Sequence, residues 1–177
     1  MTTIVETQRL ALRHFEPGDL DALAPIMADP RVMRFSKSGP HSRQDTDEMI
    51  RRCLDSYAKH GFGLWAVIHK DDNKLIGYCG LIAQEIDGRQ ESEIGYRLDP
   101  PYWGRGLATE AARATRDHAF GHLGLTRLIS IIEAENVASI RVAEKNGMRH
   151  EKDTTYCDLP VRIYSVHRST ESNTPKL

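Results

Sequence analysis

The sequence is poor in residues that staple a chain. Its three cysteines, at positions 53, 79 and 157 of 177, are odd in number and form no Cys-x-x-Cys pair. That excludes a disulfide framework and a cysteine-built metal site, and it fits a reducing cytoplasm. No apolar run approaches the roughly 20 residues that cross a bilayer, so no membrane role is expected, and Met1 to Leu10 lacks the apolar centre of a secretion signal. Charge of one sign is also missing. The 24 Lys and Arg offset 25 Asp and Glu to a net −1, which leaves no basic field for nucleic acid. No internal repeat is visible.

What is present is the balance of a folded chain, 28% charged and 40% hydrophobic, with enough length for one domain and too little for two. That domain is expected over 1–168, followed by a polar tail at 169–177. Arg9 to Arg13 alternates as a half-buried strand, and Pro17-Gly18-Asp19 opens a short helix carrying Leu20, Leu23 and Met27. Ser42 starts an S-x-x-D cap before an amphipathic helix that Gly61 closes. Strands are expected at Leu64 to His69, Leu75 to Ile82 and Glu93 to Leu98, with a turn between Asp87 and Ser92. A small-residue helix begins at Gly106, a buried strand spans Leu128 to Ile132, and Asn136 caps a helix that stops at Gly147. Two last strands fall near Arg149 to Asp158 and Val161 to Arg168. The order is mixed α+β in one layered system.

The chemistry concentrates where a strand ends at Pro100-Pro101, glycines stand at 104 and 106, and a helix starts at once. Glycine lets a backbone approach a phosphate closely, and the free amides of a first helical turn, at the positive end of its dipole, point at an anion. Arg105 adds a mobile cation. Glycines also serve tight turns, and a turn reading competes on this loop alone. It is not a Walker loop, since no Gly-Lys-Ser/Thr follows. Similarly, Asn136 and Gly147 are accounted for as the caps of an ordinary helix.

Taken together, the segments Glu93-Ile94-Gly95-Tyr96-Arg97-Leu98, Tyr102-Trp103-Gly104-Arg105-Gly106-Leu107-Ala108-Thr109-Glu110-Ala111 and Asn136-x-x-Ser139 with Glu144-Lys145-x-Gly147-Met148 resemble the GNAT superfamily of acetyltransferases. The closer likeness is to its branch of ribosomal-protein N-terminal acetyltransferases. The resemblance spans Arg9 to Arg168. It implies a central, mostly antiparallel twisted sheet splayed open between two parallel strands, with helices on both faces. It implies acetyl-CoA as acyl donor and no metal. Backbone groups of Tyr96, Arg97 and Leu98 are expected on the pantetheine arm and the segment Trp103, Gly104, Arg105, Gly106, Leu107, Ala108 and Thr109 on the pyrophosphate. Asn136 and Ser139 are expected near the thioester. The acceptor is a primary amine, either a protein N-terminus or a small molecule, and a homodimer is expected only by analogy.

Two departures matter. Trp103 stands where the superfamily usually has Gln or Arg. Ala143 occupies the place of a tyrosine that protonates the leaving thiolate, so that acid cannot be carried over, and Ser139 is the substitute, with Tyr96, Tyr102 or a water as rivals. Glu93 is the expected general base, with Glu91, Glu133 and Glu135 as competitors. Direct amine attack without an acyl-enzyme is expected, because no cysteine is placed as a nucleophile. The competing class is an acyl-CoA-binding module that has lost catalysis. His118 and His122 have metal-ligand spacing but no third partner, and Arg51-Arg52 reads as a solvated face.

Overall fold

The computed structural model describes residues 3–169, so 170–177 of the expected tail lie outside it. Strands are β1 (Thr3–Glu6), β2 (Leu10–Arg13), β3 (Leu64–His69), β4 (Lys74–Ile86), β5 (Arg89–Leu98), β6 (Arg127–Ile132), β7 (Arg149–Tyr156) and β8 (Leu159–His167). Helices are α1 (Leu20–Ala28), α2 (Arg43–His60), α3 (Leu107–Gly121) and α4 (Val137–Lys145). The eight strands form one sheet in the order β1-β2-β3-β4-β5-β6-β8-β7. Every neighbouring pair is antiparallel except β5 and β6, which run parallel and register only at Glu93 and Ile129. Beyond that pair the two strands diverge, giving the expected splayed sheet.

Alternation along the strands divides the core between two faces. Trp65 and Val67 of β3 and Ile94 and Leu98 of β5 pack with Leu107, Ala111 and Ala143 of α3 and α4. Ala66 and Tyr78 point the other way, into Leu23, Met27, Ile50 and Cys53 of α1 and α2. Ser42 caps α2 as expected: its hydroxyl accepts from the Asp45 amide, and the Asp45 carboxylate accepts from the Ser42 amide at 2.8 Å. At Gly77 the chain bulges with φ +141°, and a Cβ there would stand 2.1 Å from the Arg97 carbonyl oxygen, so only glycine fits.

Three boundaries differ from expectation. β1 is a short edge strand that residue patterning did not announce. The turn expected at Asp87 to Ser92 is only Asp87-Gly88, both left-handed (φ 50° and 73°). This Asp-Gly reversal lets β4 and β5 run to Ile86 and Arg89. Hydrophobic periodicity missed those ends because residues 83–85 and 89–92 beside the turn are mostly polar and only Ile86 is buried there, against Ile129, Val161 and Ile163. The last hairpin also turns tightly, on Cys157-Asp158 (φ 47° and 64°).

Candidate active site

β5 ends where the Asp99 amide makes a last bond to the Ile76 carbonyl at 2.8 Å, and Pro100 to Tyr102 form a single tight turn. Gly104 and Gly106 are both left-handed (φ 72° and 77°) and α3 starts at Leu107. The Glu110 amide bonds the Gly106 carbonyl at 3.0 Å, so the amides of Leu107, Ala108 and Thr109 precede the first bonded amide of the helix and lack an intrahelical partner. A Cβ on Gly104 would meet nothing within 4 Å, and one on Gly106 nothing nearer than Arg9 at 3.7 Å. The space before these amides is open.

This loop is clamped from sequence-distant sites. The Arg9 guanidinium donates to the Arg105 carbonyl at 2.9 Å and to the Glu110 carboxylate at 2.7 Å. Glu110 also accepts from the Thr7 hydroxyl at 2.6 Å and the Arg9 amide at 2.9 Å. Burial pushes the Glu110 pKa up, but Thr7 and Arg9 outweigh it and the net shift is downward. On the other side the Tyr102 hydroxyl donates to Asp72 at 2.6 Å, whose carboxylate also lies 2.9 Å from Nδ1 of the buried His69, too poorly aligned for a hydrogen bond. The Arg105 guanidinium lies 5.4 Å above the Tyr102 ring. Trp103, 48% exposed, turns its indole N–H onto the Leu98 carbonyl at 2.6 Å. Its side chain therefore locks the end of β5.

The backbone of β5 sorts the expected contacts. A two-residue turn makes Ile86 and Arg89 a mutually bonded pair, and alternation along the register directs the amides and carbonyls of 91, 93, 95 and 97 to β4. Arg97 is thereby corrected. Its backbone is committed to β4, and its side chain reaches the α1–α2 face, where Nη1 donates to the Val32 carbonyl at 3.3 Å. The even residues face the slot. Ile94 O accepts from the Ser130 hydroxyl at 3.3 Å and Leu98 O from Trp103, which leaves the Tyr96 amide and carbonyl and the Leu98 amide directed into the slot.

A cavity of about 130 Å³ sits there, lined by Tyr96, Asn136 and Ser139 from the α3–α4 face and by Tyr78, Glu93 and Arg97 from the other. The Tyr96 hydroxyl donates to the Ser139 carbonyl at 3.3 Å, and burial holds its pKa well above the usual phenol range. Asn136 caps α4, its Oδ1 accepting from the Ser139 amide at 3.2 Å. No protein partner for the Ser139 hydroxyl occurs among the described residues. Ala143, 2% exposed, is core.

Burial raises the Glu93 pKa, partly offset by the Gln84 side chain, which donates to its carboxylate at 2.8 Å, and by the Ile131 amide. Gln84 in turn accepts from the Tyr156 hydroxyl at 2.8 Å. Lys37 lies 3.2 Å over the Tyr156 ring and 2.7 Å from the Cys157 sulfur, so the segments 33–40 and 156–160 meet at this mouth. Of the competing carboxylates, Glu91 is paired with Arg127 at 3.0 Å. Burial lifts the Cys53 thiol to about 11 and the Cys79 thiol to about 12, which leaves both unreactive near neutrality. Among the described residues no cluster of three His, Cys, Asp or Glu could hold a metal, and no helix is long and apolar enough to cross a membrane. His118 and His122 stack on each other 4.9 Å apart. A larger open groove, about 860 Å³, runs between β1 and the outer side of α3 and reaches the loop segment at Gly106 and Thr109, beside the Arg9–Glu110 clamp.

Residue patterning missed the clamp of Thr7, Arg9 and Glu110 and the relay of Gln84 and Tyr156. Glu110 lies inside the conspicuous loop segment, but nothing local to it names Arg9.

A family profile described as the acetyltransferase (GNAT) domain matches residues 9–149. The protein YkkB of Bacillus subtilis (strain 168) is 34% identical over 163 residues, covering 92% of this chain and 94% of YkkB. The crystal structure of an acetyltransferase from Agrobacterium tumefaciens str. C58 has a TM-score of 0.81 at 29% identity, covering 95% of each chain. RimL, a ribosomal L7/L12 alpha-N-protein acetyltransferase solved in complex with coenzyme A, shares the fold at a TM-score of 0.79 and 19% identity, covering 94% of this chain and 98% of its own. With its splayed sheet, glycine loop and matching profile, the chain belongs to the GNAT family and is an acetyl-CoA-dependent N-acetyltransferase.

Proposed function

We propose that acetyl-CoA enters the β5–β6 slot from the α3–α4 face and presents its thioester to a primary amine arriving from the α1–α2 face. The observation that supports this best is the single cavity shared by Tyr96, Asn136 and Ser139 on one side and Glu93 on the other. The pyrophosphate fits the amides of 104–109, where a helix dipole, an open approach and Arg105 coincide. The pantetheine amides fit the Tyr96 amide and carbonyl and the Leu98 amide, which the phase of β5 directs away from β4. Three cysteines without a disulfide suit the cytoplasm.

In the reaction the amine nitrogen forms a C–N bond to the thioester carbon as the C–S bond breaks. Glu93, directly or through a water, accepts the ammonium proton, a task that its raised pKa favours. The oxyanion is received by the backbone amide of Tyr96 or Leu98. The thiolate takes a proton from the Ser139 hydroxyl, which recovers it through water from the N–H of the collapsing tetrahedral adduct, the role that Ala143 cannot fill. No acyl-enzyme forms.

The test is free-thiol release from acetyl-CoA with peptides bearing free N-termini, polyamines, amino acids and aminoglycosides. Release with some acceptor is expected; release with none above hydrolysis favours a binding module. Gly106→Trp is expected to abolish CoA binding while the protein stays folded, because the indole fills the open space before the amides. Unchanged CoA affinity in that variant refutes the cradle.

A further inference from the structure

We propose that the acceptor is an amine that also carries a carboxylate, with Arg97 as the residue that receives it. The inference rests on the acceptor side assigned above and narrows its substrate class.

Arg97 is partly buried and lines the shared cavity. Arg9, Arg13, Arg31, Arg43, Arg51, Arg116, Arg127 and Arg162 all meet a carboxylate within 4 Å, and the other arginines without one, Arg97 apart, are exposed to solvent. Arg97 meets none among the described residues. Its protein contacts are the Val32 carbonyl at 3.3 Å and the Tyr78 hydroxyl. A guanidinium has five N–H donors in a planar fork suited to two carboxylate oxygens, and a partly buried cation without an anion is costly. The unfilled partner points to a ligand. Lys37, the second cation near Glu93, also lacks a carboxylate partner among the described residues and is held by the Tyr156 ring and the Cys157 sulfur.

The geometry sets the poles. Glu93 and Arg97 stand four residues apart on the same face of β5, roughly 13 Å between Cα atoms, a span that two long side chains shorten toward the size of an amino acid or dipeptide. Between them Gly95 has no side chain, and Ile82 fills the space where its Cβ would lie, at 2.9 Å. The floor between base and cation is apolar. An amine delivered to Glu93 with its carboxylate toward Arg97 is complementary, whereas a polyamine brings further cations toward Arg97 and Lys37.

The test measures thiol release with matched acceptors: L-glutamate against its diamide for free amino acids, and Glu-Ala-Ala-amide against Gln-Ala-Ala-amide for peptide N-termini, with spermidine and kanamycin as cationic amines. In at least one pair the acidic member is expected to exceed its neutral twin by about tenfold or more in kcat/KM, and the pair that shows it identifies free amino acid or peptide. Arg97→Gln is expected to bring that ratio near one, chiefly through KM, and Arg97→Lys to restore most of it. Neutral or cationic amines used as well as acidic ones overturn the charge inference and leave the transferase reading standing, as does a ratio unchanged in Arg97→Gln. Release from no acceptor overturns both.

Discussion

Replacing Glu93 by Gln tests the chemistry at its centre. The substitution keeps the shape of the side chain, and its amide oxygen can still accept from Gln84, whose 2.8 Å bond fixes the position. What is lost is the capacity to take a proton. General-base groups contribute about 10²- to 10⁴-fold. An α-amine, with a pKa near about 7.7 to 8.0, is about half or more deprotonated at pH 8 without help, while a lysine amine near about 10.4 is almost wholly protonated. The expected loss is therefore about 10²-fold for an N-terminal acceptor and larger for a side-chain amine. In the wild type kcat/KM is expected to fall on the acid side as Glu93 gains its proton, with burial placing that fall above the ordinary carboxylate range. In the variant only the amine's own titration remains. The stability effect has the opposite sign. A carboxyl whose folded pKa is raised stabilises the fold fully below its unfolded pKa, and that contribution is lost as pH rises through the folded value. Near neutrality the charged form is the penalised one, so Glu93→Gln is expected to raise the melting temperature while lowering the rate. Thiol release across pH 6 to 9 and thermal melts at two pH values read both. An unchanged rate and acid limb, or a variant that loses activity and stability together, refutes the assignment.

Arg9→Met removes the 2.9 Å bond to the Arg105 carbonyl and leaves Glu110 without its cation. KM for acetyl-CoA is expected to rise about tenfold with kcat little changed, the cost of one charge-assisted bond discounted for partial exposure, as initial rates against acetyl-CoA will show. Ser139→Ala is expected to lower kcat by about 10²-fold and Tyr96→Phe by much less; the reverse order in single-turnover rates transfers the acid role to Tyr96. Gly77→Ala sets a methyl group 2.1 Å from the Arg97 carbonyl in a backbone region that disfavours it. A loss of about 3 kcal/mol, roughly 10 °C in melting temperature, is expected by calorimetry.

The parts of the fold legible in the sequence are those written locally. The Ser42 box, the Gly61 stop, the Asn136 cap and the glycine loop each consist of residues within a few positions of one another, and each stands where their spacing indicates. What was not legible depends on partners far along the chain. Arg9 finds Glu110 across 101 positions and Tyr156 finds Gln84 across 72, and no window of periodicity contains both members. Arg97 shows the same limit from another side. Its segment is conspicuous, yet whether its backbone meets β4 or the slot is a matter of strand phase, and that phase follows from the two-residue turn at Asp87-Gly88. β1, four residues at the sheet edge, is too short for alternation to rise above chance.

The sheet behaves as two plates riveted at one point. β1 to β5 form one plate and β6 to β8 the other, and their backbone registers at a single pair, Glu93 with Ile129. Two positions before each member of that pair, Arg127 grips Glu91 of the first plate at 3.0 Å and Glu151 of the second at 2.7 Å. Backbone pairing and ion pairs therefore hold the two plates together at the Glu91 end of the slot, while toward Leu98 no backbone pairing between β5 and β6 is registered among the described residues. A junction built from ion pairs, a quarter or less exposed on Arg127 and Glu91 and a third on Glu151, loosens with ionic strength less than a surface pair does. The base proposed on Glu93 sits at this fixed point, and the proposed donor site lies toward the open end of the slot.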